Sequence, residues 1–320
     1  MKNAYILCLC LCFAVPAYAN DSAGFIAAGG VTYLKSKDIQ MYSEDLNISK
    51  KRILVNYQFK NLSQQDITET ILFPLPRVES YSYSESANAE DLINSFKVWA
   101  NGQSIVPKAH ARAYLSKNIQ NKDQTWDSTW VDVTDDLKKC KFSNDELMNP
   151  WTNKFEEQAL NRKFLACKRP LVASLVKENY DADEKKILWA SEIIYSWSQT
   201  FKANAITHVK HEYQPLLGGS VAMSDHEKKD YCIDKYLMTA LKNAKATSAS
   251  YSSLGYILKT GANWATPIAN FKMTIEREKG ELVSLCWNGK ITKVSPTKFQ
   301  VVEKNFIPKQ DVNLMFINSK

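Results

Sequence analysis

Beyond Val15, this chain of 320 residues has no apolar run long enough to cross a bilayer, which takes about 20 consecutive residues. No membrane-spanning helix is therefore expected in the body of the protein. Low-complexity tracts and long basic arms are missing as well. The lysines behind a net charge of +7 are scattered, with Lys50-Lys51-Arg52 the densest early group. Nucleic-acid binding wants a basic face or stripe, so that class is set aside. There is no phosphate loop, dinucleotide fingerprint or Gly-x-Ser-x-Gly elbow. Histidine is scarce, at 4 residues, and His226-Glu227 lacks the second imidazole one turn on that a zinc-protease helix needs. No cofactor, metal or complete catalytic constellation is expected, and the sequence names no reaction.

What is present begins with a leader. Lys2 opens a short positive region, Ala4 to Val15 is an apolar core, and Ala17-Tyr18-Ala19 is a small-x-small cleavage site. The pattern is that of a secretory signal peptide spanning residues 1–19, so the mature chain is expected in the periplasm or secreted. Cys8, Cys10 and Cys12 leave with the leader. A lipid-modified cysteine is not expected, because leucines precede them where a small residue is wanted. Four cysteines remain, Cys140, Cys167, Cys232 and Cys286, and an even count in an exported chain points to two disulfides. Three pairings are open. Cys140–Cys167 and Cys232–Cys286 are favoured because each closes within one structural unit. No Cys-x-x-Cys pattern marks a reactive thiol.

The body reads as strands. Ile53, Val55, Tyr57 and Phe59 share one face of an extended segment, and Ile67, Ile71, Phe73 and Leu75 repeat the two-residue period after a polar connector. The spacing predicts a hairpin with one wet face, ended by Pro74 and Pro76. A second long hairpin is expected where Trp189, Ser191, Ile193, Tyr195 and Trp197 alternate with their neighbours before a return over 206–213. The two hairpins are expected to close an antiparallel β-sandwich over residues 20–217. Asn101-Gly102 marks a tight turn between Phe96–Trp99 and Ser104–Val106, with the second strand running on towards Tyr114. Residues 126–186 read as a helical insert. Thr134 sits at a helix start, Trp151, Phe155 and Ala159 step along a second helix, and Pro170 opens a third. Gly218-Gly219-Ser220 is the expected boundary to a smaller unit, 218–320, with one helix over 227–245 and several short strands. The class is mainly β, α+β overall.

Several stretches resemble an uncharacterised bacterial family, the domain of unknown function 4424. They are Asn20-Asp21-Ser22-Ala23 with Ala28-Gly29-Gly30, Ser43-Glu44-Asp45-Leu46 with Ile48-Ser49, Phe73-Pro74-Leu75-Pro76, His211-Glu212-Tyr213-Gln214-Pro215, Asn263-Trp264 with Pro267-Ile268, and Ser284-Leu285-Cys286-Trp287. The resemblance implies an exported envelope protein and carries no functional residues with it. Phe73-Pro74-Leu75-Pro76, Trp99 with Asn101-Gly102, and Val209 to Tyr213 are also similar to the vault protein inter-alpha-trypsin domain, a sandwich module. The Asp-x-Ser-x-Ser metal motif of its usual companion domain is missing.

Candidate chemistry is thin. Trp126 and Trp130 are the pair best placed to stack on a sugar, and Asp132 and Asp135 stand within an acidic patch, with Asp127 and Asp136, that offers paired carboxylates for glycoside hydrolysis. The plainer account makes two of the acids helix-start residues and most tryptophans core. His208 and His211 fall on opposite faces of one strand and cannot share a metal; they read as surface or sandwich-edge residues. Asp181, Asp183 and Glu192 match three calcium-loop positions, but Lys185 and Lys186 spoil the loop. The expectation is a non-catalytic interaction module with another envelope protein or a cell-wall glycan as partner, the alternative being a glycan-binding protein or hydrolase.

Overall fold

The structure is a computed structural model that describes residues 21–27, 30–79, 89–120, 126–148, 156–243 and 250–319. The expected leader and the Trp151 and Phe155 positions lie outside the described residues. Strands β1 (Ser22–Ala27), β2 (Gly30–Leu34), β3 (Ile39–Ile48), β4 (Ile53–Asn61), β5 (Ile67–Pro74) and β6 (Val78–Glu79) come first. Helix α1 (Ala89–Ser95) leads into β7 (Lys97–Ala100), β8 (Gln103–Ile105), β9 (Lys108–Gln120) and β10 (Trp126–Asp132). Helices α2 (Thr134–Lys139), α3 (Asn144–Met148), α4 (Glu157–Ala166) and α5 (Pro170–Glu178) follow. Next are β11 (Tyr180–Asp181), β12 (Lys186–Ile187), β13 (Ala190–Phe201), β14 (Ile206–Tyr213) and β15 (Gly218–Ser220). Helices α6 (Asp225–Asp230) and α7 (Lys235–Asn243) precede β16 (Tyr251–Tyr256), β17 (Ile268–Glu276), β18 (Glu281–Leu285), β19 (Thr292–Lys293), β20 (Lys298–Phe306) and β21 (Val312–Asn318).

The protein is mainly β, and its two large sheets face each other across one core. The first runs β10-β9-β13-β5-β1-β2, with β6 beside β13; the second runs β19-β20-β17-β3-β4-β14-β7-β8. Ile71, Phe73, Tyr195, Trp197 and Phe201 from the first meet Val55, Tyr57, Phe59, Val209 and Met273 from the second. The predicted alternation is what puts them there.

The two expected hairpins are not hairpins. β4 lies in the second sheet and β5 in the first, and the same split separates β14 from β13. Each pair is an arch whose strands face one another across the core and bond to the strands of the other arch, β5 to β13 and β4 to β14. A hairpin needs both strands in one ladder, whereas an arch needs only inward faces that match, and period-two patterning satisfies both. The connectors decide. Asn61, fully buried, donates to the Gln65 and Phe201 carbonyls at 2.8 and 2.9 Å, and Asn204 N donates to Ser63 O. Lys202 and Ala203 N hold Asp66 at 2.7 and 2.9 Å. The two arch tips are thereby tied together at one end of the sandwich.

Asn101 and Gly102 take positive φ, 49° and 81°, and close the β7–β8 hairpin. The strand expected to continue from β8 instead changes sheet at Pro107, and β9 pairs with β13. The helical insert begins at Thr134, later than expected, because 126–132 extends the first sheet as β10. Its helices cover the same face of the first sheet that meets the second sheet further along: Ile193 packs in the sandwich core, while Ala111, its register partner, packs under the insert. Cys140–Cys167 staples the insert.

Residues either side of the expected boundary at Gly218 share a sheet. β17 runs parallel to β3, Met273 against Leu46, and brings β20 with it. The remaining strands form a third sheet, β15-β16-β21-β18. Along β21, Leu314 and Phe316 face the main core while Met315 and Ile317 face α7. The single expected helix is two, broken where Cys232 takes φ 54° and bonds Cys286.

Candidate functional site

The site starts from alternate residues. On β3, β4, β14 and β17 the positions that do not enter the core are Ser43 and Asp45, Asn56 and Gln58, His208 and Lys210, and Asn270 and Lys272. Strand register sets them side by side, since directly opposite residues point the same way. One row reads Val302, Lys272, Asp45, Asn56, Lys210 and Trp99 across six strands; the next reads Lys304, Asn270, Ser43, Gln58 and His208. Five inter-strand steps make the row about 24 Å long. The open face of the second sheet thus holds a cleft of about 580 Å³ lined by these rows.

Lys272 pairs with Asp45 at 2.5 Å, and Lys210 lies 4.4 Å over the Trp99 ring and 3.4 Å from Glu212. Lys304 reaches Asn270. Among the described residues, Asn56 and Gln58 spend neither amide on another group of the protein. His208 is fixed by its backbone: its N–H donates to Asn101 Oδ1 at 2.9 Å, and Asn101 N donates back to its carbonyl at 2.8 Å. Three ammonium groups and one imidazole therefore surround a single central acid, Asp45, with planar amides between them and an indole at one end. Such a surface meets hydroxyl groups through the amides, anionic groups through the lysines and an apolar ring face through Trp99.

The residues singled out from sequence lie elsewhere, at the β10 edge of the first sheet. Trp130 and Asp132 share one face of β10; the Trp126 side chain lies outside the described residues. Asp132 accepts from Arg112 Nε at 2.8 Å and from Thr134 N at 2.9 Å. Asp135 stands one turn away on α2, in the first turn where an acid suits the helix dipole. Around them gather residues that the sequence reading passed over. Arg77 lies 4.1 Å over Tyr114 and 5.5 Å from the Trp130 ring, so one face of that indole already has a cation. Tyr114 donates to Glu192 at 2.5 Å, and burial pushes the Glu192 carboxyl above its ordinary value. For Tyr114 and Glu192 the signal was the polar positions of β9 and β13, which register as neighbours only once the strands are paired; Arg77 comes from the connection before β6.

His208 and His211 point to opposite faces as expected, but His211 is no edge residue. It is fully buried, with Nε2 3.3 Å from Asp21 Oδ2. His226 pairs with Asp230 at 2.7 Å. Asp181 accepts from Asp183 N and Glu184 N in a tight turn, far from calcium-loop geometry. Among the described residues there is no group of three metal-ligating side chains and no helix long and apolar enough to cross a membrane.

No curated protein matches the chain. Among solved structures it is similar to a Legionella pneumophila protein described as a "putative nutrient binding protein", with 14% identity over 93% of this chain and 70% of that one, at a TM-score of 0.43. A likeness so distant has no bearing on ligand. A family model does match, over residues 19–315. With nearly its whole length covered, the chain belongs to the family of the domain of unknown function DUF4424.

Proposed function

We propose that the protein is an exported binding module that takes an extended, hydroxyl-rich and anionic chain, of the cell-wall glycan class, along the open face of the second sheet. The cleft carries this reading: its two rows align amides, cations and one indole over a length that suits a linear ligand better than a compact one. Its central acid, Asp45, is neutralised by Lys272, and glycoside hydrolysis wants two carboxylates in distinct protonation states, so binding is favoured over turnover. Export fits the leader pattern and the two disulfides.

The test is titration of the mature protein with soluble cell-wall glycan fragments, followed by tryptophan fluorescence and by NMR shifts of the Asn56 and Gln58 amides. Saturable binding that falls at least tenfold in Trp99→Ala and in Lys272→Ala is the expected outcome. Binding that survives both substitutions, or shifts confined to the Trp130 edge, moves the site to the first sheet. Absence of binding with every fragment class overturns the reading.

A further inference from the structure

β20 pairs with β19 only at Phe299 and Gln300. From Val301 onward its one partner among the described residues is β17, so this stretch is an edge of the second sheet. The cleft ends there with Val302 and Lys304, and Glu303 between them turns its side chain to the other side. On that side lies a second hollow of about 250 Å³, lined by Glu303 with Trp287, Phe306, Lys309 and Gln310. The Trp287 and Phe306 rings stand 5.8 Å apart at 36°, and Phe271 stacks on Phe306 at 4.6 Å. Rings this close admit nothing between them, so they form one continuous apolar wall. The wall is braced: Cys286 is bonded to Cys232, and its carbonyl accepts from Gln310 Nε2 at 2.6 Å.

The polar groups of the hollow are uncommitted. Among the described residues the Glu303 and Lys309 side chains have no ion-pair or hydrogen-bond partner, and the buried Trp287 Nε1 donor has none either. Gly289 lies against two of them: a Cβ there would stand 2.6 Å from Trp287 Nε1 and closer still to Glu303 Oε1. Donor and acceptor thus flank one spot without bonding each other, and glycine leaves it open. A hydroxyl accepts and donates at once, so it serves both, reaching Nε1 as the exposed bend 288–290 lifts. An ammonium suits the carboxylate and the ring faces but cannot accept from the indole, and Lys309 already brings a positive charge to the same hollow. The volume falls below the roughly 300–1,000 Å³ of drug-sized sites, which leaves room for one ring. From these groups we infer that the hollow is a terminal subsite for a single hydroxylated sugar ring. The ring lies on Trp287 and Phe306, one hydroxyl bridges Trp287 Nε1 and Glu303, and Lys309 takes an acidic substituent. The inference deepens the binding reading above and rests on it for the rest of the chain, which follows the cleft past Lys304 and turns over the β20 edge.

Titrate the mature protein, both disulfides formed, with N-acetylmuramic acid and N-acetylglucosamine as one-ring probes and with choline as the cation. Follow the indole N–H signals by NMR, with Trp287 assigned through Trp287→Phe and Trp99 through Trp99→Phe. The acidic sugar should move the Trp287 signal saturably and bind more tightly than the neutral one. Gly289→Ala keeps every polar group but fills the spot between them, and it should weaken this binding at least tenfold. Lys309→Ala, at an exposed position, should erase the preference for the acidic sugar even if the first variant folds poorly. Choline moving the Trp287 signal where the sugars do not, or sugar binding unaltered in a folded Gly289→Ala protein, overturns the subsite. Longer cell-wall fragments that shift Trp99 while Trp287 stays still under every probe remove the subsite and leave the cleft reading standing. One-ring binding at Trp287 with no response of Trp99 to any fragment sustains the subsite and removes the cleft, and silence at both removes both.

Discussion

The two faces of the second sheet are made from the same strands and carry polar residues of the same kinds, yet they do opposite work. On the open face Asp45, Asn56, Gln58, His208 and Lys210 stand in a cleft with water on one side. One residue along each strand, Glu44, Tyr57 and His211 turn inward and are sealed. Tyr57 and Tyr256 share a hydrogen bond of 3.0 Å, and Tyr256 reaches Glu44 at 3.4 Å. A polar group in water is cheap to hold and free to exchange partners; one in the core is costly unless paired and then resists exchange. Polarity alone therefore does not mark function in this molecule. The face does.

The largest expected effect that tests this contrast is Asp21→Ala. It leaves His211 buried without its partner among Phe73, Phe96 and Trp197 rings. Leaving one buried polar group without its partner costs about 1–3 kcal/mol. Urea denaturation of the mature protein should show that loss, with glycan affinity of the remaining folded fraction unchanged. A stable Asp21→Ala protein would mean the inner pair is no lock. Next in size is Tyr57→Phe, which deletes one buried hydroxyl and should cost about 1 kcal/mol, within the usual range for a single hydrogen bond. A thermal midpoint unmoved by that change would show Tyr256 satisfied by Glu44 alone.

How far this was legible beforehand follows from the same contrast. Alternation identified the inward set almost residue for residue, because Ile53, Val55, Tyr57 and Phe59 have only one face to bury. It could not say which sheet each strand joins. Arch and hairpin give one pattern, and the difference lies in Asn61 and Asp66, whose partners at Phe201, Lys202 and Ala203 are over a hundred residues away. The cleft was illegible for that reason. Its rows exist only through register, above all the parallel β17–β3 pair that crosses the expected boundary at Gly218. Both disulfides were foreseeable because each joins residues within one local unit. The site chosen from sequence, Trp126 and Trp130 with Asp132 and Asp135, drew on neighbours within a few residues; beside Trp130 and Asp132 stand Arg112 from β9 and Arg77 from the connection before β6.

A smaller effect separates the buried acids from the exposed ones by pH. Burial pushes the Asp21 and Glu192 carboxyls above their ordinary values, so the folded state holds their protons more tightly than the unfolded state. Their contribution to stability is complete below the ordinary carboxylate value and is lost as pH rises through the raised folded one. The Lys202 hydrogen bond holds Asp66 below its ordinary value, and the Lys50 charge does the same for Glu278; these contribute above the ordinary range and fade as pH falls. Glu192→Gln should therefore flatten the decline in stability on the neutral side of the profile while leaving the acid limb in place. Denaturant midpoints measured from pH 4 to pH 8 check it, and a variant whose whole profile merely shifts in parallel contradicts the assignment.

The smallest stability effect belongs to the open face, and it is the one that most directly separates the two faces. Asn56 and Gln58 stand in the cleft with their amides uncommitted among the described residues, so replacing both with Ala removes no internal hydrogen bond and opens no cavity. Surface changes of this kind stay within about 0.5 kcal/mol. If hydroxyl groups of the ligand are what those amides receive, the loss appears in binding instead: two hydrogen bonds at about 1 kcal/mol each amount to roughly a thirtyfold fall in affinity. The dissociation constant and the thermal midpoint of Asn56→Ala/Gln58→Ala should thus move independently, the first strongly and the second hardly at all. The reverse result, a destabilised protein that binds glycan as before, would make the amide rows part of the scaffold. The cleft would then be only the back of a sheet whose important side faces in.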